Sequence, residues 1–286
     1  MVSEPRFPFV AVDVSADDAD VMSATLFELG AEGVEERDAT TLVKGAAGLV
    51  TLVGSFASHD EAREAISAID ATMNPRLEEI VGDAWRDAWK EHFRPFAITT
   101  SIVIRPPWEA YAEKPGEEVL VLEPGRAFGT GLHETTSLVA GALETRKNEL
   151  VGKTVLDVGC GSGILALVAL TLGAQRARAI DVDADAALVA QENATRNGLD
   201  ERLDADSSPI ESIGGTYPVV VANIEARVLI PMMPELTKRV ARGGLLVLSG
   251  ILAPQKDDVC QAYASFTLED APAKGEWVAL VLRAPL

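Results

Sequence analysis

Asp157, Gly159, Gly161 and Gly163 alternate through the run VLDVGCGSG at residues 155–163, and their types and spacing point to cofactor chemistry. The apolar stretch TVLDV before them reads as a strand, and ILALVALTLG after them reads as a helix. The glycines therefore fall in a strand-to-helix turn, where the missing Cβ lets backbone approach a ligand closely. The next strand, RARAID, ends 18 residues after Gly163 at Asp181. A carboxylate there can accept both hydroxyls of a ribose whose adenosine lies across the strand tips. Dinucleotide folds read GxGxxG and seat a pyrophosphate on the helix N-terminus. This loop reads GxGxG behind an acidic Asp157, which repels phosphate and attracts a sulfonium or an amino group. The pattern favours S-adenosylmethionine over a nicotinamide dinucleotide.

Other side chains fall where they could serve such a site. In EPGRAFGTGLHETT, residues 123–136, Gly125, Gly129 and Gly131 permit unusual backbone angles suited to a lid or clamp. The hydroxyls of Thr135 and Thr136 could bind a cofactor carboxylate or cap the following helix. His133 could orient a substrate amine or accept its proton, or serve only structure. In VVVANIEA, Asn223 stands just past an apolar strand, at the same edge as the glycine loop. Its amide offers an acceptor and two donors, enough to aim an amine lone pair at a methyl group. Glu225 reads as a solvated carboxylate at a helix start. Asp206 and Ser207, after the third strand, are candidates for the adenine amino edge.

These groups need a scaffold of strands ending at one edge. Strands in TVLDV, ARAID, YPVVVAN, GGLLVLSG and WVALVLR alternate with helices, as in a doubly wound, Rossmann-like α/β domain. The first segment has another order. FVAVDV reads as a strand, and Ser15 is expected to cap a helix closed by Gly30; GVEERD and LVTLVGSF read as strands, Ser58 caps a second helix, and RLEEIVG is a last strand. That βαββαβ order is the ferredoxin-like split motif, and with no glycine loop or paired catalytic groups it reads as a recognition module. The expected organisation is a small ferredoxin-like α+β recognition domain at residues 1–83, a helical linker at 84–96 and a catalytic domain at 97–286. Trp85, Trp89 and Phe93 share one face of the linker and read as a core or interdomain seam.

Composition narrows the function classes. With 286 residues the chain is long enough for two domains or one large one, and with 48% apolar content it can bury a sizeable core. No apolar run reaches the ~18 residues of a membrane span, and MVSEPRF lacks signal-peptide order, so a cytoplasmic protein with no membrane partner is expected. Two cysteines, Cys160 and Cys260, and three histidines suggest neither a disulfide framework nor a metal site. The net charge of −19, without a basic cluster, argues against direct nucleic-acid binding. Residues 1–90 hold 18 acidic against 7 basic side chains, a net of −11. That excess reads either as a solvated surface or as steering of a basic protein substrate.

Taken together, EPGRAFGTGLHETT, VLDVGCGSGILALVAL, DVDADAALVAQENATRNG, VVVANI, GGLLVLSGIL and GEWVALVL resemble the PrmA-type ribosomal protein methyltransferases. The likeness extends to FELGAEGVE and AWKEHFRPF, and so to nearly the whole chain. It implies a class I S-adenosylmethionine-dependent methyltransferase that modifies the N-terminal α-amine and lysine side chains of large-subunit ribosomal protein eleven. It also implies that the small domain grips the substrate, and by matching position it places cofactor contacts on Thr136, Gly159, Asp181 and Asn223. Gly161 joins Gly159 beside the methionine part. Glu225 and Arg126 stand where the family carries apolar residues, near the mouth of the site. Competing readings are a lysine methyltransferase acting on a different protein, a nicotinamide oxidoreductase, and a non-catalytic assembly factor.

Overall fold

The computed structural model describes residues 6–15, 18–31, 33–37, 49–81, 94–123 and 134–286. The chain divides into two compact units, Met1–His92 and Phe93–Leu286. Most of the expected linker, with Trp85, Trp89 and Phe93, lies outside the described residues.

The first unit runs β1 (Arg6–Val14), α1 (Ala19–Glu28), β2 (Gly33–Arg37), β3 (Val50–Ser55), α2 (His59–Ala68) and β4 (Arg76–Val81). Its sheet has the order β2-β3-β1-β4 with every pair antiparallel, which is the ferredoxin-like arrangement. Val10, Val12 and Val14 of β1 pack on Met22 and Leu26 of α1 and Ala62 and Ala65 of α2. Ser58 caps α2, its hydroxyl accepting from the Glu61 amide at 3.3 Å. Ser15 does not cap α1. The helix starts at Ala19 with Asp18 as its N-cap, too far along for the Ser15 hydroxyl to reach the free amides, and that hydroxyl donates instead to the Asp18 carboxylate at 2.6 Å.

The second unit opens with a small sheet of β5 (Phe96–Ala97), β6 (Ile102–Arg105) and β7 (Glu118–Val121), followed by α3 (Glu134–Thr145). Then come β8 (Thr154–Val158), α4 (Ile164–Thr171), β9 (Arg176–Ile180), α5 (Ala184–Arg196), β10 (Leu203–Asp206), β11 (Tyr217–Asn223) and α6 (Ala226–Arg239). β12 (Val240–Leu252), α7 (Lys256–Ala262), β13 (Thr267–Asp270), β14 (Ala273–Lys274) and β15 (Trp277–Arg283) complete it. The large sheet has the order β10-β9-β8-β11-β12-β15-β13, with β14 on β15. β8 to β12 pair in parallel, and β15 runs antiparallel to its neighbours. This is a doubly wound, Rossmann-like α/β domain closed by antiparallel strands at one edge.

Alternation along the strands builds two cores. Val155, Val219, Val221 and Val247 face α3 and α4, whereas Leu156, Val220, Leu246 and Leu248 face α6 and α7. Both faces are covered, which is why these strands are nearly continuous apolar runs. The chain leaves β8 toward β9 on one side and reaches β11 on the other, and such a reversal opens a crevice at the carboxyl ends of the strands.

Glu144 of α3 ties the small sheet to this core. Its carboxylate accepts from Thr99 Oγ1 at 2.7 Å, from the amide and hydroxyl of Thr100 at 3.0 and 2.8 Å, and from those of Ser101 at 2.9 and 2.5 Å. Burial alone would raise its pKa, but the Ser101, Thr99 and Thr100 bonds outweigh that and hold it at about 2. A depressed carboxylate stabilises fully above its ordinary 4.5 and loses that contribution as pH falls toward about 2. Glu144→Gln is expected to cost about 1–2 kcal/mol at neutral pH, discounted for partial exposure, and progressively less through that acid window. Urea titration across pH measures it.

Candidate active site

The glycine loop sits at the carboxyl end of β8 in a conformation only glycine tolerates. Gly159, Gly161 and Gly163 have φ of +69°, +52° and +77°. A Cβ on Gly159 would lie 2.7 Å from Cδ1 of Ile224, and one on Gly163 would lie 2.8 Å from Cβ of Ala190. The loop is held to the end of β9 because the Gly159 and Cys160 amides both donate to the Ile180 carbonyl, at 2.8 and 3.0 Å. Asp181 follows directly. Its Oδ2 accepts from the Gly161 amide at 2.8 Å and its Oδ1 from the Asp183 amide at 3.0 Å, so the carboxylate sits against the loop.

Asp157 lies beneath the loop, 1% exposed. Because Gly163 has no side chain to cap α4, the Oδ2 of Asp157 takes that place, accepting from the Ala166 amide at 3.0 Å. Its Oδ1 is buried and has no hydrogen-bond partner among the described residues. Burial pushes this carboxyl up to about 7, opposed by the Ala166 amide and reinforced by the negative charge of Asp181. Burial and the same two carboxylates also push the Cys160 thiol up, which leaves it a small inert filler.

On the other side of the crevice, Asn223 ends β11 in register with Ser249 of β12. Its Nδ2 donates to Thr136 Oγ1 at 3.4 Å. Thr135 and Thr136 are buried inside the first turn of α3, which begins at Glu134, so neither is the helix cap that one reading of the sequence suggested. Ser207 is exposed just past β10, while the neighbouring Asp206 is engaged by Arg178 at 2.5 Å and the Ser208 amide at 2.9 Å. Glu225 is the exposed N-cap residue of α6 and pairs with Arg227. His133, Arg126, Gly125, Gly129 and Gly131 lie outside the described residues. Thus Gly159, Gly161, Asp181, Asn223, Thr136 and Ser207 gather at the carboxyl edge of one sheet.

The sequence matches the family model described as ribosomal protein L11 methyltransferase (PrmA) over residues 7–285. The chain belongs to the PrmA family. A ribosomal protein L11 methyltransferase from Sorangium cellulosum is 55% identical over 99% of this chain and 97% of its own length. One from Pelobacter propionicus is 36% identical over 97% of each. A crystal structure of the ribosomal protein L11 methylase from Lactobacillus delbrueckii subsp. bulgaricus superposes with a TM-score of 0.62 at 33% identity, covering 68% of this chain and all of that one.

In this PrmA family member, three residues that sequence reasoning passed over brace the site. Ile224 donates its amide to the Ser249 carbonyl at 3.0 Å, packs its side chain where a Gly159 Cβ would stand, and lays its carbonyl 2.5 Å from where a Gly250 Cβ would be. It locks Asn223 to the glycine loop. Asn193 of α5, fully buried, donates to the Ser162 carbonyl at 3.0 Å and accepts from the Glu123 amide at 3.3 Å and from Arg196 at 3.1 Å. Asn197 clasps the Val121 backbone in both directions at 2.8 Å. Asparagines spaced i and i+4, one inside α5 and one at its C-cap, were the available signal. Asn193→Ala leaves buried polar groups unpaired and is expected to cost about 2–4 kcal/mol by denaturant titration.

Among the described residues, no cluster of three or more His, Cys, Asp or Glu could hold a metal, and no helix is long and apolar enough to cross a membrane.

Proposed function

We propose that the crevice binds S-adenosylmethionine and that the chain transfers its methyl group to amines of ribosomal protein L11, the N-terminal α-amine and lysine side chains. The observation that carries this is the meeting of the glycine loop with Asp181 on one side of the switch point and Asn223 on the other, in a chain of the PrmA family. The residues fit the cofactor. The left-handed backbone at Gly159, Gly161 and Gly163, bare of side chains, suits close approach of the methionine part, and the orphan oxygen of Asp157 suits a positive charge held above it. When bound, S-adenosylmethionine supplies a methyl group on a positive sulphur, which an amine lone pair displaces in line.

Asp181 accepts the ribose hydroxyls, Gly159 and Gly161 receive the methionine part, Thr136 binds its carboxylate, and Ser207 meets the adenine amino edge. Asn223 holds the acceptor amine so that its lone pair faces the methyl group, and His133 is a candidate acceptor for the amine proton. The chain must take up the neutral amine. At pH near 7.5 that costs about 4 kcal/mol for a lysine of pKa about 10.4, but about 0.7 for an α-amine near 8. The α-amine is the easier target, and desolvation in the crevice lowers both costs. Orientation by Asn223 supplies much of the remaining acceleration, since effective molarities reach about 10⁵ M or more.

The acidic first unit grips and steers the basic substrate, with no part for nucleic acid or membrane. Incubating the chain with methyl-labelled S-adenosylmethionine and a whole-cell protein extract tests the assignment. Label in L11, with its α-amine modified faster than its lysines, is expected. Label confined to other proteins would overturn the substrate.

A further inference from the structure

Among the described residues, Asp157 is the only carboxylate in the buried core. Its surroundings are those of a neutral acid. β9 contributes Ala179 in register and, at its end, the Asp181 carboxylate; β11 contributes Val221 in register and ends in the neutral amide of Asn223. α4 contributes the Ala166 amide, and the loop contributes the Cys160 thiol. The N-terminal turn of α4 favours an anion modestly. No Lys, Arg or His of the described residues acts on the group, so one amide and a helix end stand against burial, a second carboxylate and an oxygen with no partner. An unpaired charge in such a place neutralises itself by keeping its proton.

Resting on the reading of this crevice as the S-adenosylmethionine site, we propose that Asp157 carries a proton in the free enzyme and gives it up to solvent as the cationic cofactor binds. Oδ2 can cap α4 in either state, so the loop need not rearrange; the proton leaves Oδ1, and the positive ligand above the loop offsets the charge left beneath it. The electron pair of the O–H bond stays on the carboxylate, and water or buffer takes the proton. Cofactor uptake is thereby tied to pH through Asp157.

Stability carries the same linkage with a definite sign. An acid raised in the folded state imposes no penalty below its ordinary 3.8 and a growing one as pH rises to about 7. Asp157→Asn should therefore gain stability relative to the wild type as pH rises across that window.

Calorimetric titration of the full chain with S-adenosylmethionine, in two buffers of different ionisation enthalpy, tests the proposal. At about pH 6, close to one proton should be released per cofactor bound, and the number should fall below half above about pH 7. Affinity should weaken about tenfold per pH unit below that value. Asp157→Asn should abolish the buffer dependence. Should that variant not fold, infrared difference spectra of the wild type with isotope-labelled aspartate should show a protonated-carboxyl stretch replaced by a carboxylate stretch on cofactor addition. Binding heat identical in the two buffers, or an unchanged carboxyl band, overturns the proposal while leaving the cofactor reading intact. No binding at all takes both down.

Discussion

Asp181→Ala is expected to weaken S-adenosylmethionine binding about 100-fold, while the chain still folds. Two hydroxyls of the ribose share one carboxylate. A hydrogen bond to a charged group contributes about 1.5–3 kcal/mol, and about 1.4 kcal/mol is tenfold in affinity, so losing the pair amounts to about two decades at the low end of that range. The two amides that Asp181 already holds, from Gly161 and Asp183, must find water in the variant. A fall in thermal stability of the free protein is therefore part of the expected result. Asp181→Asn keeps one acceptor and should lose about tenfold in affinity, by the same arithmetic. Affinity by calorimetry and melting of the free protein, measured together, separate the loss of the ribose contact from the loosening of the loop. Unchanged affinity in Asp181→Ala removes the central role.

Asn223→Ala is expected to act on the other half of the reaction, lowering kcat about 100-fold or more with a far smaller effect on cofactor affinity. The amide is held at the end of β11, bonded to Thr136, and tied through Ile224 to both Ser249 and the glycine loop. A group held that firmly contributes by orientation, and misplacing a reacting pair by about 1 Å costs about 100-fold. Gly250→Ala should approach the same endpoint from the backbone. Its Cβ would lie 2.5 Å from the Ile224 carbonyl oxygen and 2.7 Å from the carbonyl carbon, at a φ of +83°. The strand end that carries Asn223 must then move. Single-turnover rates with saturating cofactor report the chemical step for both variants. A rate within about threefold of wild type for Asn223→Ala, well inside the 100-fold expected from misplacement, would remove it from the transfer step.

The glycine loop, Asp181 and Asn223 were legible in the sequence because each is a local pattern: an apolar strand ending in a residue whose chemistry is wanted at the strand tip. The ferredoxin-like order was legible for the same reason, since alternation and turn residues mark each element. What escaped was tertiary. Ile224 looks like one more apolar residue until its backbone is found between Ser249 and Gly250. Asn193 looks like a helix surface residue until Ser162 and Glu123 are found on either side of it. α6 carries Pro231 and Pro234 inside its span, which hides a helix whose buried Leu229 and Leu236 keep a helical interval. β13 has four exposed residues and so no burial alternation to announce it as a strand. The capping expectation held at Ser58 and failed at Ser15, because a hydroxyl one turn before the true N-cap reads much the same in a sequence.

The most direct measurement is a crystal structure of the chain with S-adenosylmethionine bound. The ribose hydroxyls should lie on the Asp181 carboxylate, the methionine part along Gly159 and Gly161, and the methyl group should turn toward Asn223. Cofactor density away from the carboxyl edge of β8, β9 and β11, or a ribose without contact to Asp181, would contradict this placement.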